Sequence, residues 1–202
     1  MEQTDPTFVA LYKYTKAVAV ALGHRDRLTR LHSDRVLGLA GDLAAALGMR
    51  KEDLAVLKIA ALLHDIGKIG IPDNILLKPG KFDEDEWGIM KEHSAIGENI
   101  MSMIEIEHSP HASKIIRHHH EYFNGLGYPD KLSGEDIPIC SRIISIADSY
   151  DAMAVTRSYH NAKTHSEIMS ILKSETGLKH DPKLMQIFSS IIESIEFKAA
   201  QS

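Results

Sequence analysis

Leu62-Leu63-His64-Asp65-Ile66-Gly67-Lys68 places a histidine, a carboxylate and an amine in an otherwise apolar segment. Leu54, Leu57 and Ala61 precede it at the three- and four-residue spacing of one helix face. His64 falls next on that apolar stripe. The pattern therefore predicts a helix that carries this histidine, and the carboxylate that follows it, into the protein interior.

A buried carboxylate without a partner is costly, so this one must be hydrogen-bonded, paired with a cation or bound to a metal ion. For a single His-Asp dipeptide, a core histidine that donates to an acid is the simpler explanation. A metal site is favoured only if further ligands come from elsewhere in the chain.

The composition indicates one soluble globular domain. The 202 residues are 44% hydrophobic and 25% charged, which is ordinary for a chain that needs no disulfide to form a core. Cys140 is the single cysteine and cannot form an internal disulfide. The N-terminus lacks a signal-peptide pattern, and no apolar run is long enough to cross a bilayer. We therefore expect a cytoplasmic protein without membrane insertion.

The charge of the chain bears on its partners. The 23 basic and 28 acidic residues leave a formal net charge of -5. This balance argues against broad electrostatic binding of a nucleic-acid polymer. An anionic ligand would need a local positive site.

Apolar residues recur almost throughout at three- and four-residue spacing, whereas two-residue alternation is nearly absent. This periodicity predicts an all-α protein. In residues 1–27 a heptad-like rhythm predicts a first helix, which carries Phe8, Leu11, Thr15, Val18 and Leu22. This helix either docks onto the core of the same chain or forms a short homodimer seam.

Two helices follow this first one, and each carries a histidine on its inward stripe. One carries His32 and stops at Gly48, which suits the left-handed position after a helix. The other begins near Glu52, carries His64 and ends near Gly67. Both histidines are therefore expected to face the interior.

Five further helices are predicted from their capping residues. They begin at Asp83 with Glu86, Ser109-Pro110, Pro138, Thr164 with Glu167, and Asp181 with Pro182. The first of them runs through His93, the second runs into His118-His119-His120-Glu121, and the third carries Asp148 on its apolar side. A glycine-rich loop over residues 124–129 follows the second helix.

Several residues of types that bind metals are thus predicted to face the same interior from different helices. Isolated core histidines would not explain this clustering. The residues are His32, His64, Asp65, His93, His119, His120 and Asp148. Imidazole and carboxylate suit iron, manganese, zinc or nickel, and the lack of thiolates argues against a closed structural zinc site. If His119 and His120 are neighbours on a helix, their side chains point about 100° apart. They then either approach a metal pair from different sides, or one of them supports a ligand without binding metal.

Two cations explain so many ligands better than one, because a pair can share a bridging carboxylate and clamp a phosphate group. We predict that Asp65 is this bridge. Lys68 lies one turn after His64, where its ammonium would hold a phosphate oxygen. The alternative is a solvated lysine at a helix C-terminus. We assign catalytic roles to Asp65 and Lys68.

Together these motifs resemble the HD-GYP family, a branch of the HD phosphohydrolases. The resemblance covers roughly residues 28–190 and rests on His64-Asp65-Ile66-Gly67-Lys68, His119-His120-Glu121, Gly127-Tyr128-Pro129, His32-Ser33-Asp34-Arg35-Val36, Lys78-Pro79-Gly80-Lys81, the Met90 to His93 segment and Ala147-Asp148-Ser149-Tyr150-Asp151-Ala152. It implies a helical HD bundle over residues 28–202, with a five-helix core and additional C-terminal helices.

The resemblance also implies an activity. Such a domain is a metal-dependent phosphodiesterase that hydrolyses cyclic di-GMP to pGpG, and sometimes onward to GMP, in bacterial signalling. It implies divalent metals held by the seven residues above, with iron or manganese preferred over zinc or nickel. Because Leu28 stands where some relatives supply a glutamate to a third metal, we expect two metals.

For the substrate, the resemblance implies phosphate contacts from Lys68 and Arg157. It implies a site mouth shaped by Gly127, Tyr128 and Pro129, a loop also tied to partners such as GGDEF-type signalling proteins. The structural alternative for this loop is a tight turn with a packed aromatic ring. Two other functions stay open, namely hydrolysis of another nucleotide such as cyclic GMP-AMP, and a non-catalytic sensor or protein-interaction module.

Overall fold

The structure, a computed structural model, describes residues 18, 20, 23, 27–104, 108–156, 161–195 and 197–199. Most of the predicted N-terminal helix in residues 1–27 lies outside these ranges. Whether that helix docks onto the core or forms a dimer therefore stays a prediction, as does a domain boundary between residues 27 and 28.

In the described part of the chain the regular structure is helical, apart from one isolated β-bridge between Thr176 and His180. The α-helices are α1 (Arg27–Ala46), α2 (Lys51–Leu63), α3 (Asp73–Leu76), α4 (Glu84–Lys91), α5 (His93–Ser102), α6 (Ser109–Arg117), α7 (Ile139–Ala154), α8 (His165–Ser174) and α9 (Pro182–Ile191). Short 3₁₀ helices span Ile66–Gly70, Gly134–Asp136 and Ile192–Ser194. The predicted all-α class is confirmed.

Five helices enclose the main core. Helix α1 packs on α2 and α7, α2 packs on α6, and α6 packs on α5. Their facing sides bury apolar residues completely, among them Leu39 on α1, Leu57 on α2, Ile116 on α6 and Ile143 on α7. Helices α8 and α9 pack on α7 and α1 from outside. The predicted five-helix core with additional C-terminal helices is therefore confirmed.

The predicted capping residues act as expected. Asp83 accepts a hydrogen bond from the Glu86 N–H while the Glu86 carboxylate accepts from the Asp83 N–H, and a second reciprocal box joins Thr164 to Glu167. Gly48 has a φ of +66°, the left-handed region that favours glycine after a helix. Local sequence rules therefore fix where these helices begin and end.

Two predicted helix boundaries differ from the structure. The helix expected to run through His93 is divided at Glu92, so that α4 ends and α5 begins within one turn. Helix α2 ends at Leu63, before the predicted end at Gly67, and the chain continues as the 3₁₀ helix Ile66–Gly70. In both places a histidine side chain bonds to the carbonyl oxygen three residues earlier, in the last turn of the preceding helix.

The 3₁₀ helix lies against α5 at very close range. A Cβ atom built on Gly67 would lie 1.8 Å from the carbonyl oxygen of His93 and 2.6 Å from the backbone nitrogen of Gly97. These neighbours are backbone atoms in packed helices and cannot move aside cheaply. Glycine at position 67 therefore sets the distance between the segment after α2 and the start of α5.

In the part of the chain that the structure describes, no helix is long and apolar enough to cross a membrane.

We expect Gly67→Ala to lower the free energy of unfolding by about 3 kcal/mol or more, because the new methyl group must push two backbone segments apart. Gly41→Ala is the matched control, since Gly41 lies inside α1 and a Cβ there meets nothing within 4 Å. That change should raise stability by up to about 1 kcal/mol. Denaturant unfolding measures both, and equal stability of the two variants would contradict the close approach.

Candidate metal centre

Three of the predicted ligands follow the ends of helices. His64, His93 and His119 come just after α2, α4 and α6. Each ring donates from Nδ1 to the carbonyl oxygen three residues earlier, at 2.8, 2.7 and 2.6 Å respectively. Those carbonyls belong to a last helical turn, where intrahelical donors run out. Because a carbonyl oxygen only accepts, the proton is on Nδ1 and each Nε2 presents a lone pair.

His32, on α1, is oriented by side chains instead. Asp151 on α7 accepts from its Nδ1 at 2.6 Å, and Arg35 pairs with the same carboxylate. On the other side of the ring, Nε2 lies 3.0 Å from Oδ1 of Asp148. Asp148 and Asp151 are one turn apart, so one face of α7 supplies both carboxylates.

The inward-facing atoms form two groups. The ligand atoms of His32, His64 and Asp148 lie within 4.8 Å of one another, and so do those of His93, His119 and His120; we call these the first and second triads. The triads are neighbours, because the ring centroids of His64 and His119 are 5.2 Å apart. Two adjacent groups of this kind are suited to two adjacent cations.

Asp65 lies between the two triads. Its Oδ2 is 3.5 Å from Nε2 of His64, and its Oδ1 is 3.6 Å from Nε2 of His93. One carboxylate thus faces both groups, as a bridging ligand must. Oδ2 also accepts a hydrogen bond from Nζ of Lys68 at 2.6 Å, so the structure brings this lysine to the site as well.

The buried nitrogen atoms of the site fit metal ions. The Nε2 atoms of His93 and His119 are 3.4 Å apart although both rings carry their proton on Nδ1, so two lone pairs face each other. Within the described residues, Nε2 of His64 has no hydrogen-bond partner. Buried lone pairs without donors are costly, and a cation at each triad would satisfy them. Imidazole and carboxylate without thiolate suit a transition metal.

Four of the histidines are neutral at physiological pH. Burial, with the neighbouring imidazoles, lowers the pKa of His119 to about 3. Burial is also the main cause that lowers the pKa values of His64 and His93, and it places the pKa of His120 well below the ordinary value. Metal binds the neutral imidazole, so these four rings need lose no proton before they act as ligands.

His32 and the two carboxylates are charged. Burial alone would lower the pKa of His32, but its hydrogen bonds to Asp148 and Asp151 raise it to about 9. Burial favours the neutral acid at Asp65, but the Lys68 ammonium and the nearby imidazoles hold its pKa well below the usual range. Burial also favours the neutral acid at Asp148, but the hydrogen bond to His32 and the nearby imidazoles together hold its pKa well below the ordinary value.

The geometry expected for His119 and His120 is not observed. Helix α6 ends at Arg117, and residues 118–120 form a turn in which His118 has a φ of -102° and a ψ of 10°. The rings of His119 and His120 lie 3.9 Å apart between centroids, at 42°. A bond from the backbone N–H of Tyr128 to the His120 carbonyl holds this turn in place of a helical bond. Both rings nevertheless reach the second triad.

The Gly127-Tyr128-Pro129 loop is fastened to the same turn. Glu121 is buried, and its Oε1 accepts from the backbone N–H of Asp130 at 2.7 Å, just after the loop. Gly127 lies so close to the chain after the turn that a Cβ would come within 2.2 Å of the Tyr122 nitrogen. The buried Glu121 carboxylate, the close approach of Gly127 and the bond from the Tyr128 N–H to the His120 carbonyl therefore hold the loop in place.

Tyr128 forms a wall of the site as a result. Its ring lies on His120 with centroids 4.9 Å apart at an angle of 30°. Burial, followed by the charge of Asp148, raises the pKa of Tyr128 above its ordinary value, so the phenol stays neutral and can donate a hydrogen bond. The ring is packed, as the structural alternative expects, and it also borders the metal centre.

Two residues of the site received no role from the sequence. Asp151 follows Asp148 by three residues, as Arg35 follows His32, and this repeated helical spacing was a usable signal. Glu121 directly follows the histidine pair, but no periodicity indicates that its side chain bonds to a loop backbone.

Some predicted residues cannot be placed. Arg157 lies outside the described residues, as does the side chain of Leu28. The phosphate contact of Arg157 and the expected absence of a third metal therefore stay predictions.

Fold and site together define a helical-bundle protein with a buried histidine-aspartate centre suited to paired metal ions. The sequence profile of the HD domain family matches residues 16–184. The chain therefore belongs to the HD domain family, and its predicted HD-GYP resemblance is confirmed.

Two curated relatives and one solved structure are similar to this chain and agree with the family assignment. A cyclic di-GMP phosphodiesterase response regulator of Xanthomonas campestris is 40% identical over 166 residues, 82% of this chain and 44% of that protein. A 3'3'-cGAMP-specific phosphodiesterase of Vibrio cholerae is 39% identical over 170 residues, 84% of this chain and 33% of that protein. An HDG"Y"P protein from Bdellovibrio bacteriovorus shares the fold, with a TM-score of 0.66 and 19% identity over 94% of this chain and 66% of that one. The chain spans less than half the length of these two curated relatives.

We expect metal binding at about pH 7.5 to release about one proton from His32, because its pKa of about 9 leaves the ring protonated in the metal-free protein. Apparent affinity should then rise about tenfold per pH unit until about pH 9. Asp151→Asn removes one of the two carboxylates that raise this pKa, so fewer protons should be released. Calorimetric titration in buffers of different ionisation enthalpy measures the number of protons released.

The same shift affects the stability of the metal-free protein. Because the folded-state pKa of His32 lies above the ordinary value of 6.5, the stabilisation is complete below that value and is lost as the pH rises through about 9.

For the proton-release experiment, Asp53→Asn changes an exposed carboxylate on α2 and serves as the control. Equal proton release from the wild type and Asp151→Asn would contradict the proposed role of Asp151.

Proposed function

We propose that this chain is a metal-dependent phosphodiesterase that hydrolyses cyclic di-GMP to the linear dinucleotide pGpG. The position of Asp65 carries this proposal, because its two carboxylate oxygens face two neighbouring triads. Paired cations that share a ligand are a recurrent solution for in-line displacement at phosphorus. The two curated relatives, both named as phosphodiesterases of cyclic dinucleotides, support the substrate class.

Each triad would hold one divalent ion, with Asp65 shared between them. Among transition metals that accept imidazole and carboxylate, we expect iron or manganese, with zinc or nickel as alternatives. When bound, the ions supply Lewis acidity and a nucleophile that is available at neutral pH. The protein contributes by fixing the donor atoms before the metals arrive, through the Nδ1 bonds of the histidines.

Side chains at the opening would bind the phosphate. Lys68 has 17% of its side chain exposed and lies beside Asp65, so its ammonium can pair with a phosphate oxygen. Tyr128 can donate a hydrogen bond from its neutral phenol, and the family resemblance assigns a further contact to Arg157. These donors would offset the negative charge that builds on the phosphate as the bond to the sugar oxygen breaks.

A second substrate, 3'3'-cGAMP, is supported by the Vibrio relative, whose identity to this chain is 39% against 40% for the Xanthomonas relative. The two substrates share their phosphate chemistry and differ in one base, so groups outside the metal centre must select between them. A non-catalytic sensor would keep the triads without turnover. Onward hydrolysis to GMP, a GGDEF-type partner at the Gly127-Tyr128-Pro129 loop, a homodimer and a cytoplasmic location stay predictions.

We expect hydrolysis of cyclic di-GMP to require added metal and to fall at least about 100-fold in Asp65→Ala, since even supporting residues of metal sites cost about 10- to 100-fold. The variant loses the shared carboxylate and leaves two cations without charge compensation. Element analysis alongside product chromatography with cyclic di-GMP and 3'3'-cGAMP measures metal content and turnover together.

Asp53→Ala is the matched control, because it removes an exposed carboxylate from α2 and should change neither quantity. If Asp65→Ala retains two metals and normal turnover, the bridging role is wrong. If the metal-loaded wild type hydrolyses neither dinucleotide, the sensor alternative replaces the proposed activity.

A further inference from the structure

Aromatic side chains lead from the metal centre toward the protein surface. Tyr128 lies on His120, a member of the second triad, at 4.9 Å between ring centroids. Trp87 on α4 meets Tyr128 edge to face, at 6.0 Å and 84°, and Phe82 lies nearly parallel to Trp87, at 6.3 Å and 17°. The indole is therefore no more than about 11 Å from the ring of His120, the limit that the two successive separations set.

Trp87 is exposed although it belongs to this group. Its exposed fraction is 43%, which is high for the largest apolar side chain. The contacts with Phe82 and Tyr128 fix the ring without covering it. The indole is thus held beside a polar site while part of its aromatic surface stays open to solvent, where a ligand can reach it.

The segment that carries Trp87 is well anchored. Helix α4 begins with the reciprocal cap between Asp83 and Glu86, and the Glu86 carboxylate also pairs with Lys78 at the preceding turn. Phe82 packs against a small apolar core that includes Met90 of the same helix. Because the ring is held in place before a ligand arrives, binding there costs little ordering entropy.

We infer that Trp87 is the stacking platform for one purine base of the cyclic dinucleotide whose phosphate binds at the metal centre. This inference rests on the proposed function. A base stacks on an aromatic face whatever its identity, and loss of such a face weakens binding about tenfold or more. In the dinucleotide, one sugar separates each base from its phosphate. This separation suits a platform that is connected to His120 through two successive ring contacts. Phe82 and Tyr128 position the indole.

The sequence allows a direct test, because Trp87 is the only tryptophan in the chain. Cyclic di-GMP mixed with the metal-loaded full chain should quench the indole fluorescence saturably before turnover, since a stacked purine quenches indole. Ribose 5-phosphate, which has the sugar and phosphate without a base, should not. Equal quenching by ribose 5-phosphate would overturn the inference.

Variants provide a second measurement. Trp87→Leu keeps an apolar side chain without a π face and should raise KM for cyclic di-GMP about tenfold while kcat changes less than about twofold. Trp87→Phe, which keeps an aromatic face, should have a KM within about threefold of the wild-type value. Met103→Ala, which removes another exposed apolar side chain, at the end of α5, is the control. Thermal unfolding separates these effects from loss of fold.

The outcomes distinguish this inference from the proposed activity. Hydrolysis without quenching, and with an unchanged KM in Trp87→Leu, would overturn the platform and leave the phosphodiesterase intact. Saturable quenching without hydrolysis would support the platform and overturn the activity. If Trp87→Leu does not fold, the quenching of the wild type by cyclic di-GMP, compared with ribose 5-phosphate, decides the question.

Discussion

The hydrogen bond from a histidine Nδ1 to a helix-end carbonyl oxygen, made by His64, His93 and His119, is the interaction on which this structure depends. A helix that ends inside a protein leaves carbonyl oxygens without intrahelical donors, and burying them unpaired is costly. The same bond fixes the imidazole tautomer and directs Nε2 inward. One interaction therefore ends a helix, satisfies its last turn and prepares a ligand.

The order of the chain explains why the site lies in the bundle interior. Each triad combines ligands from distant parts of the chain, and His32 meets Asp151 across 119 residues of sequence. These contacts form only when α1, α2, α5, α6 and α7 have packed. The apolar core thus supplies the free energy that brings neutral imidazoles and carboxylates together, and the position of Gly67 sets how closely two ligand-bearing segments approach.

Periodicity and capping residues were sufficient to predict the helical class and most helix starts, and they named seven candidate ligands whose side chains the structure brings together. They were not sufficient at Glu92 or after Leu63, where an apolar stripe continues although the helix ends and a histidine side chain bonds to the carbonyl oxygen three residues earlier. The pairing of Asp151 with His32, and of Glu121 with the loop, joins parts of the chain whose relative position no local pattern encodes.

The acceptors of three Nδ1 bonds are main-chain oxygens of Ala61, Met90 and Ile116. Substitution of a side chain at these positions leaves the acceptor in place, whereas the support of His32 disappears with one change at Asp151. The groups that orient these three rings are therefore insensitive to side-chain substitution at the acceptor positions. The direction of three ligand nitrogens is thus encoded by where the helices end, whereas that of His32 depends on the identity of another side chain.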